Sequence, residues 1–141
     1  MTTTDKKTIE IRVERTIPAS PAEVYDAWLD PKVPGTPWHE NTKLILNPTV
    51  DGIFYWRFKT TPNFGRFTEL KRGARIEHTW MSPNTSGWES TVTVTFAKKG
   101  NDTLMTLVHT GLPDTNQGRG HEEGWNYFMG NFEKQFVPAA R

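Results

Sequence analysis

The stretch from His121 to Phe136 sets Trp125, Phe128, Met129, Phe132 and Phe136 at steps of three, one, three and four, the repeat of a single helix face. It comes after a long run of strand-like segments, so this helix has to lay a wide apolar stripe against a sheet. Side chains this bulky leave a hollow where the opposing wall is curved. That hollow is the expected functional site.

The segments that build the opposing wall can be read in order. Residues 8–17 alternate, with Ile9, Ile11, Val13 and Ile17 on one face and polar side chains on the other, which predicts a half-buried strand. Ser20-Pro21-Ala22-Glu23 combines a capping box with proline at the first helical position, and Val24, Ala27 and Trp28 supply the inward stripe of a short helix. Asp30-Pro31 stops it. Pro31, Gly35, Pro34 and Pro37 leave room for at most one more helical turn, in a stiff connection that carries Trp38. Strands are then predicted over residues 42–46, 53–58, 64–71, 75–80, 88–97 and 103–110, with turns at Asp51-Gly52, Arg72-Gly73 and Gly100-Asn101.

Alternation assigns Phe54, Trp56 and Phe58 to one face. It groups Gly65 with Phe67 and Glu69, and Ile76 with His78 and Trp80. It then groups Trp88, Ser90, Val92, Val94 and Phe96, and finally Met105, Leu107 and His109. The opposite face is rich in threonine and carries Arg75, Glu77 and Glu89, as a solvated antiparallel face does. The long helix is expected to start between Thr115 and Gly120. The predicted architecture is α+β: a seven-stranded antiparallel sheet curved around one C-terminal helix, as a single domain over residues 1–141 with residues 1–7 as a flexible N-terminus.

Seventeen basic and sixteen acidic residues leave a net charge of +1, which excludes a global field for nucleic acid. The absence of cysteine removes disulfides, thiolate metal ligands and a thiol nucleophile. No run reaches the ~20 apolar residues of a membrane helix, and Met1 to Lys7 lacks the apolar core of a signal peptide, so a cytoplasmic protein is expected. Neither His39-Glu40 nor His121-Glu122 is followed by a second histidine at helical spacing, and there is no nucleophile elbow or phosphate loop. No metal and no cofactor are expected.

The residues from Val13 to Trp28, then Val92-Thr-Val-Thr-Phe96, the run Thr103 to Pro113 and His121-Glu-Glu-Gly124-Trp125 together resemble the successive blocks of the heat-shock-protein ATPase activator homologue family. That family lies within the START-like, pollen-allergen-like superfamily of helix-grip folds. The resemblance spans the chain from about Ile9 to Phe136. It departs at Asp51-Gly52, where relatives often carry a glycine pair. It implies a helix-grip fold with a cavity, and it leaves the role open, since the superfamily includes carriers, cyclases and chaperone activators.

The candidate ligand-binding residues are therefore aromatic. Trp28, Trp38, Phe54, Trp56, Phe58, Phe67, Trp80 and Trp88 come from the first helix, its connection and the sheet, and Trp125, Phe128, Met129 and Phe132 from the last helix. Any one of them can equally be core filling. Glu69, His78 and His109 share the covered face and are the candidate polar groups, either orienting a ligand or sitting as satisfied core groups. None is assigned a catalytic role. The leading expectation is a binding protein for a small hydrophobic or aromatic molecule, monomeric or homodimeric. The alternatives are a cyclase- or hydratase-like enzyme using the same histidines and carboxylate, and a module that contacts a chaperone.

Overall fold

The computed structural model describes residues 7–136, so nearly all of the expected flexible N-terminus lies outside the described residues. Strand β1 (Thr8–Ile17) has the predicted bounds and buries Ile11, Val13 and Ile17. Helix α1 (Pro21–Trp28) begins in the capping box: Ser20 Oγ accepts the Glu23 N–H at 3.3 Å, and the Ser20 N–H donates to the Glu23 carboxylate at 3.1 Å. These bonds hold the Glu23 carboxyl below its ordinary range.

The connection after α1 differs from expectation, because it contains no helical turn. Pro31, Pro34 and Pro37 remove every third N–H, and the intervening donors of Asp30, Val33, Thr36 and His39 each bond the carbonyl three residues back. This string of turns carries Trp38 into the interior, where its indole N–H donates to the Trp28 carbonyl at 3.0 Å and its ring meets Phe54 edge-on at 5.1 Å. Gly35 is what lets the connection lie against the last helix. Its φ is +93°, and a Cβ there would stand 2.1 Å from the backbone nitrogen of Phe132.

The remaining strands are β2 (Lys43–Leu46), β3 (Ile53–Phe58), β4 (Thr61–Lys71), β5 (Arg75–Trp80), β6 (Ser90–Lys99) and β7 (Asp102–Pro113). They form one antiparallel sheet in the order β1-β7-β6-β5-β4-β3-β2. Six consecutive strands are thus a meander, and β1 joins its far edge. The predicted inward faces are correct for β3, β5 and β7, and for β6 from Ser90 onward.

Two residues depart from the alternation. A β-bulge between Phe67 and Glu69 inserts one residue against β5, so that Phe67 faces His78 while Glu69 pairs with Glu77 on the outer face. Glu69 is therefore not a cavity residue; it meets the Arg75 guanidinium at 2.6 Å, and Arg75 also meets Glu77 at 3.0 Å. Trp88 lies ahead of β6, in the turn after the 3₁₀ segment Pro83–Thr85, and is only half-buried. The turn hydrogen bonds of Ser82, Thr85 and Trp88 keep it out of the strand register.

Helix α2 (Asn116–Arg119) is capped by Thr115 Oγ1 accepting the Gly118 N–H at 3.0 Å. After Gly120 the chain continues as α3 (His121–Glu133), so the expected single start is two short steps. Helix α3 buries Trp125, Phe128, Met129 and Phe132 against the concave face, where they meet Trp28 and the sheet. Changing Gly35 to Ala is expected to lose more than about 1 kcal/mol, from the positive φ and the contact with the Phe132 backbone together; urea unfolding measures it, and an unchanged midpoint would reject this packing.

Candidate functional site

Trp38, Phe54, Phe67, His78, Met129 and Phe132 fill the middle of the space between sheet and helix, and all are buried almost completely. Space is left open at the end where α3 begins. A groove of about 320 Å³ runs between the first turns of α3 and the ends of β3, β4 and β5. Its floor is aromatic: Trp56 packs against Trp80 at 5.7 Å and Phe128 at 5.4 Å, Phe58 against Phe128 at 5.6 Å, and Trp80 against Trp125 at 5.2 Å. Its rim is polar, with Thr61, Asn63, Asn84, Gln117 and His121, while Gly120 and Gly124 complete the helical wall.

Beneath this floor runs a directed chain of hydrogen bonds. The Trp125 indole can only donate, and it reaches His109 Nδ1 at 3.0 Å. His109 Nδ1 is therefore the bare nitrogen and Nε2 carries the proton, which goes to Ser90 Oγ at 2.8 Å. Ser90 passes its own proton to the Trp80 carbonyl at 2.6 Å. This geometry requires a neutral imidazole. Burial, followed by the neighbouring His121 and His78, pushes His109 well below the usual histidine range.

His78 donates from Nδ1 to the Thr79 carbonyl at 2.9 Å and is enclosed by Trp38, Phe54, Phe67 and Trp80. Burial lowers it to about 4. His121 bonds the Gln117 and Gly118 carbonyls through Nδ1, at 2.9 and 3.1 Å, and is lowered mainly by burial. It sits edge-on to His109, 5.1 Å away.

Of the sequence-derived candidates, the structure gathers Trp56, Phe58, Trp80, Trp125 and Phe128 around the groove, with His109 as support beneath. Trp28, Trp38, Phe54, Phe67, Met129 and Phe132 belong to the core without lining the groove, and His78 is buried among them. Glu69 and Trp88 lie elsewhere, so the acid-base pair of a carboxylate and a histidine on one wall does not form. His121 and Gly124 are additions, legible in principle because both sit on the helical stripe of Phe128 at seven and four residues' distance. Asn63, Asn84 and Gln117 carried no such signal. Among the described residues no cluster of three His, Asp or Glu side chains could hold a metal, and no helix is long and apolar enough to cross a membrane.

The buried neutral histidines tie stability to pH. Their pKa values are depressed in the folded protein, so their contribution is complete above about 6.5, the unfolded value, and is lost as pH falls toward the folded values. Urea unfolding between pH 7 and 5 should show stability falling, by at most about 1.4 kcal/mol per pH unit for each histidine. His109→Phe should flatten that slope by one proton and, by orphaning the Trp125 N–H, lower stability at pH 7 by about 1–3 kcal/mol. An unchanged slope would contradict the assignment of His109.

Comparison with known proteins follows the same outline. CV1439 from Chromobacterium violaceum has 24% sequence identity, covers 92% of this chain and 97% of its own, and superimposes with a TM-score of 0.75. The Aha1 dimer from Colwellia psychrerythraea, solved in solution, has 16% identity, 91% and 96% coverage and a TM-score of 0.74. PFC0360w, an HSP90 activator from Plasmodium falciparum, has 23% identity, 88% and 90% coverage and a TM-score of 0.67. These likenesses establish a shared fold. Among curated proteins no sequence matches. The family described as "Activator of Hsp90 ATPase homolog 1-like protein" matches residues 18–136, and the chain belongs to that family.

Proposed function

We propose that this protein binds a small hydrophobic or aromatic molecule in the groove at the start of α3. The observation that carries this reading is an open groove with an aromatic floor: Trp56, Trp80, Trp125 and Phe128, though buried, line it together with the half-buried Phe58. Rings offer a large contact area at little entropic cost, and the polar rim supplies orientation.

A neutral fluorescent probe, N-phenyl-1-naphthylamine, should bind saturably with one site per chain. Phe58→Glu, which puts a charge on a half-buried wall, should abolish that binding while leaving the melting temperature within a few degrees. Absence of saturable binding to the unaltered protein, together with no small-molecule adduct in native mass spectrometry, would reject the reading.

A second reading, contact with a chaperone, is supported by a different surface. Ile45, Tyr55 and Phe64 stand in register across β2, β3 and β4 on the outer face, and Ile45, Ile53 and Phe64 are exposed. Two of the structural relatives are named as Aha1 and as an HSP90 activator. Calorimetric titration with Hsp90 should then show binding that Phe64→Asp weakens by tenfold or more; no heat with the unaltered protein would exclude it.

A further inference from the structure

The tryptophans around the groove are not equivalent. Trp56 donates its indole N–H to the Glu40 carbonyl at 2.7 Å, Trp38 to Trp28 and Trp125 to His109. The Trp80 N–H has no partner, and it is the one buried side-chain polar atom among the described residues in that position. Trp80 is only 3% exposed. The neighbouring His109, its ring 6.0 Å away, already takes the Trp125 N–H on Nδ1. An unpaired donor so enclosed is destabilising by about 1–3 kcal/mol, and native structures keep few of them.

A second anomaly stands on the opposite wall. Gly124 lies inside α3, where glycine weakens a helix by about 1 kcal/mol relative to alanine. No turn, positive φ or close approach requires it, since a Cβ at this position would meet nothing within 4 Å. It shares the stripe of His121 and Phe128, both of which line the groove. Its effect is to widen the space over the aromatic floor. The only ionisable side chain among the described lining residues is His121, and burial disfavours its charged form.

These two features rest on the groove being a ligand site, and they specify the ligand. We propose that the groove accepts a flat, uncharged aromatic molecule whose ring occupies the space over Gly124 and whose hydrogen-bond acceptor, a carbonyl or a ring nitrogen, takes the Trp80 indole N–H as the Trp56 and Trp125 rings that now shield it from water part. A carbonyl satisfies the donor without bringing a charge into an aromatic enclosure, and the missing side chain of residue 124 provides the thickness of a ring.

9-Fluorenone and fluorene are matched tricycles that differ by a carbonyl, and they test this by displacement of N-phenyl-1-naphthylamine. Fluorenone should bind roughly three- to tenfold more tightly, the worth of one hydrogen bond. The Trp80 indole resonance in a ¹H–¹⁵N spectrum should move downfield with fluorenone and not with fluorene. In Trp80→Phe both should still bind, with equal affinity. Gly124→Leu should lose both tricycles without a lower melting temperature, which keeps the test valid should Trp80→Phe fail to fold. Equal affinities in the unaltered protein, a preference that survives in Trp80→Phe, or full binding to Gly124→Leu would overturn the proposal. Failure of both tricycles to bind would overturn it too, and retained binding of the naphthylamine would then show that the broader ligand reading stands.

Discussion

The chain of hydrogen bonds from Trp125 through His109 and Ser90 to the Trp80 carbonyl joins α3 to β7, β6 and β5 in a single direction. Each group in it has one available role, because an indole only donates and a backbone carbonyl only accepts. A buried network of this kind rigidifies when every member is satisfied and is disruptive when one is not. Its position fixes the rotation of α3, so that Phe128 and His121 face the groove while Met129 and Phe132 face the core.

The division between filled core and open groove follows from where Trp38 goes. A proline at every third position prevents the connection after α1 from coiling, and the resulting string of turns is long enough to bring an indole over the middle of the sheet. Trp38 there meets Phe54, Phe67 and His78, which occupies the volume that a helix lying across a curved sheet would otherwise leave. At the far end, Trp56, Trp80, Trp125 and Phe128 pack on one another as a floor, with open space above it. The space is a groove for that reason, and a lengthwise cavity does not form.

Most of the frame was legible because it depends on local chemistry. The alternation of β1, the capping box at Ser20 and the helix stripe from Trp125 to Phe132 each express a period or a cap, and each is found where it was expected. What escaped was set by neighbours. The bulge after Phe67 is imposed by pairing with β5, and a single inserted residue sends Glu69 from the covered face to the ion pairs with Arg75. The displacement of Trp88 comes from a capped turn rather than from strand propensity. Whether an aromatic residue fills the core or lines the groove depends on distances between elements far apart in sequence, so Phe54 and Trp56, two residues apart on one strand face, could not be separated by pattern.

The placement of β1 beside β7 has a topological consequence. Five pairings of the sheet, from β2 through to β7, join strands that follow one another directly, and the longest of their connections runs only from 81 to 89. The sixth pairs Ile17 with Thr103 and draws residues 18–102 into one loop. Loop-closure entropy weighs on that contact far more than on any hairpin of the meander, although it grows only slowly with length. A meander lacking β1 would present β7 as an open edge and leave Met105 and Leu107 without one flank of their packing. The first strand of the chain is thus the clasp of the sheet, and the covering of its hydrophobic face is complete only when the two distant segments meet.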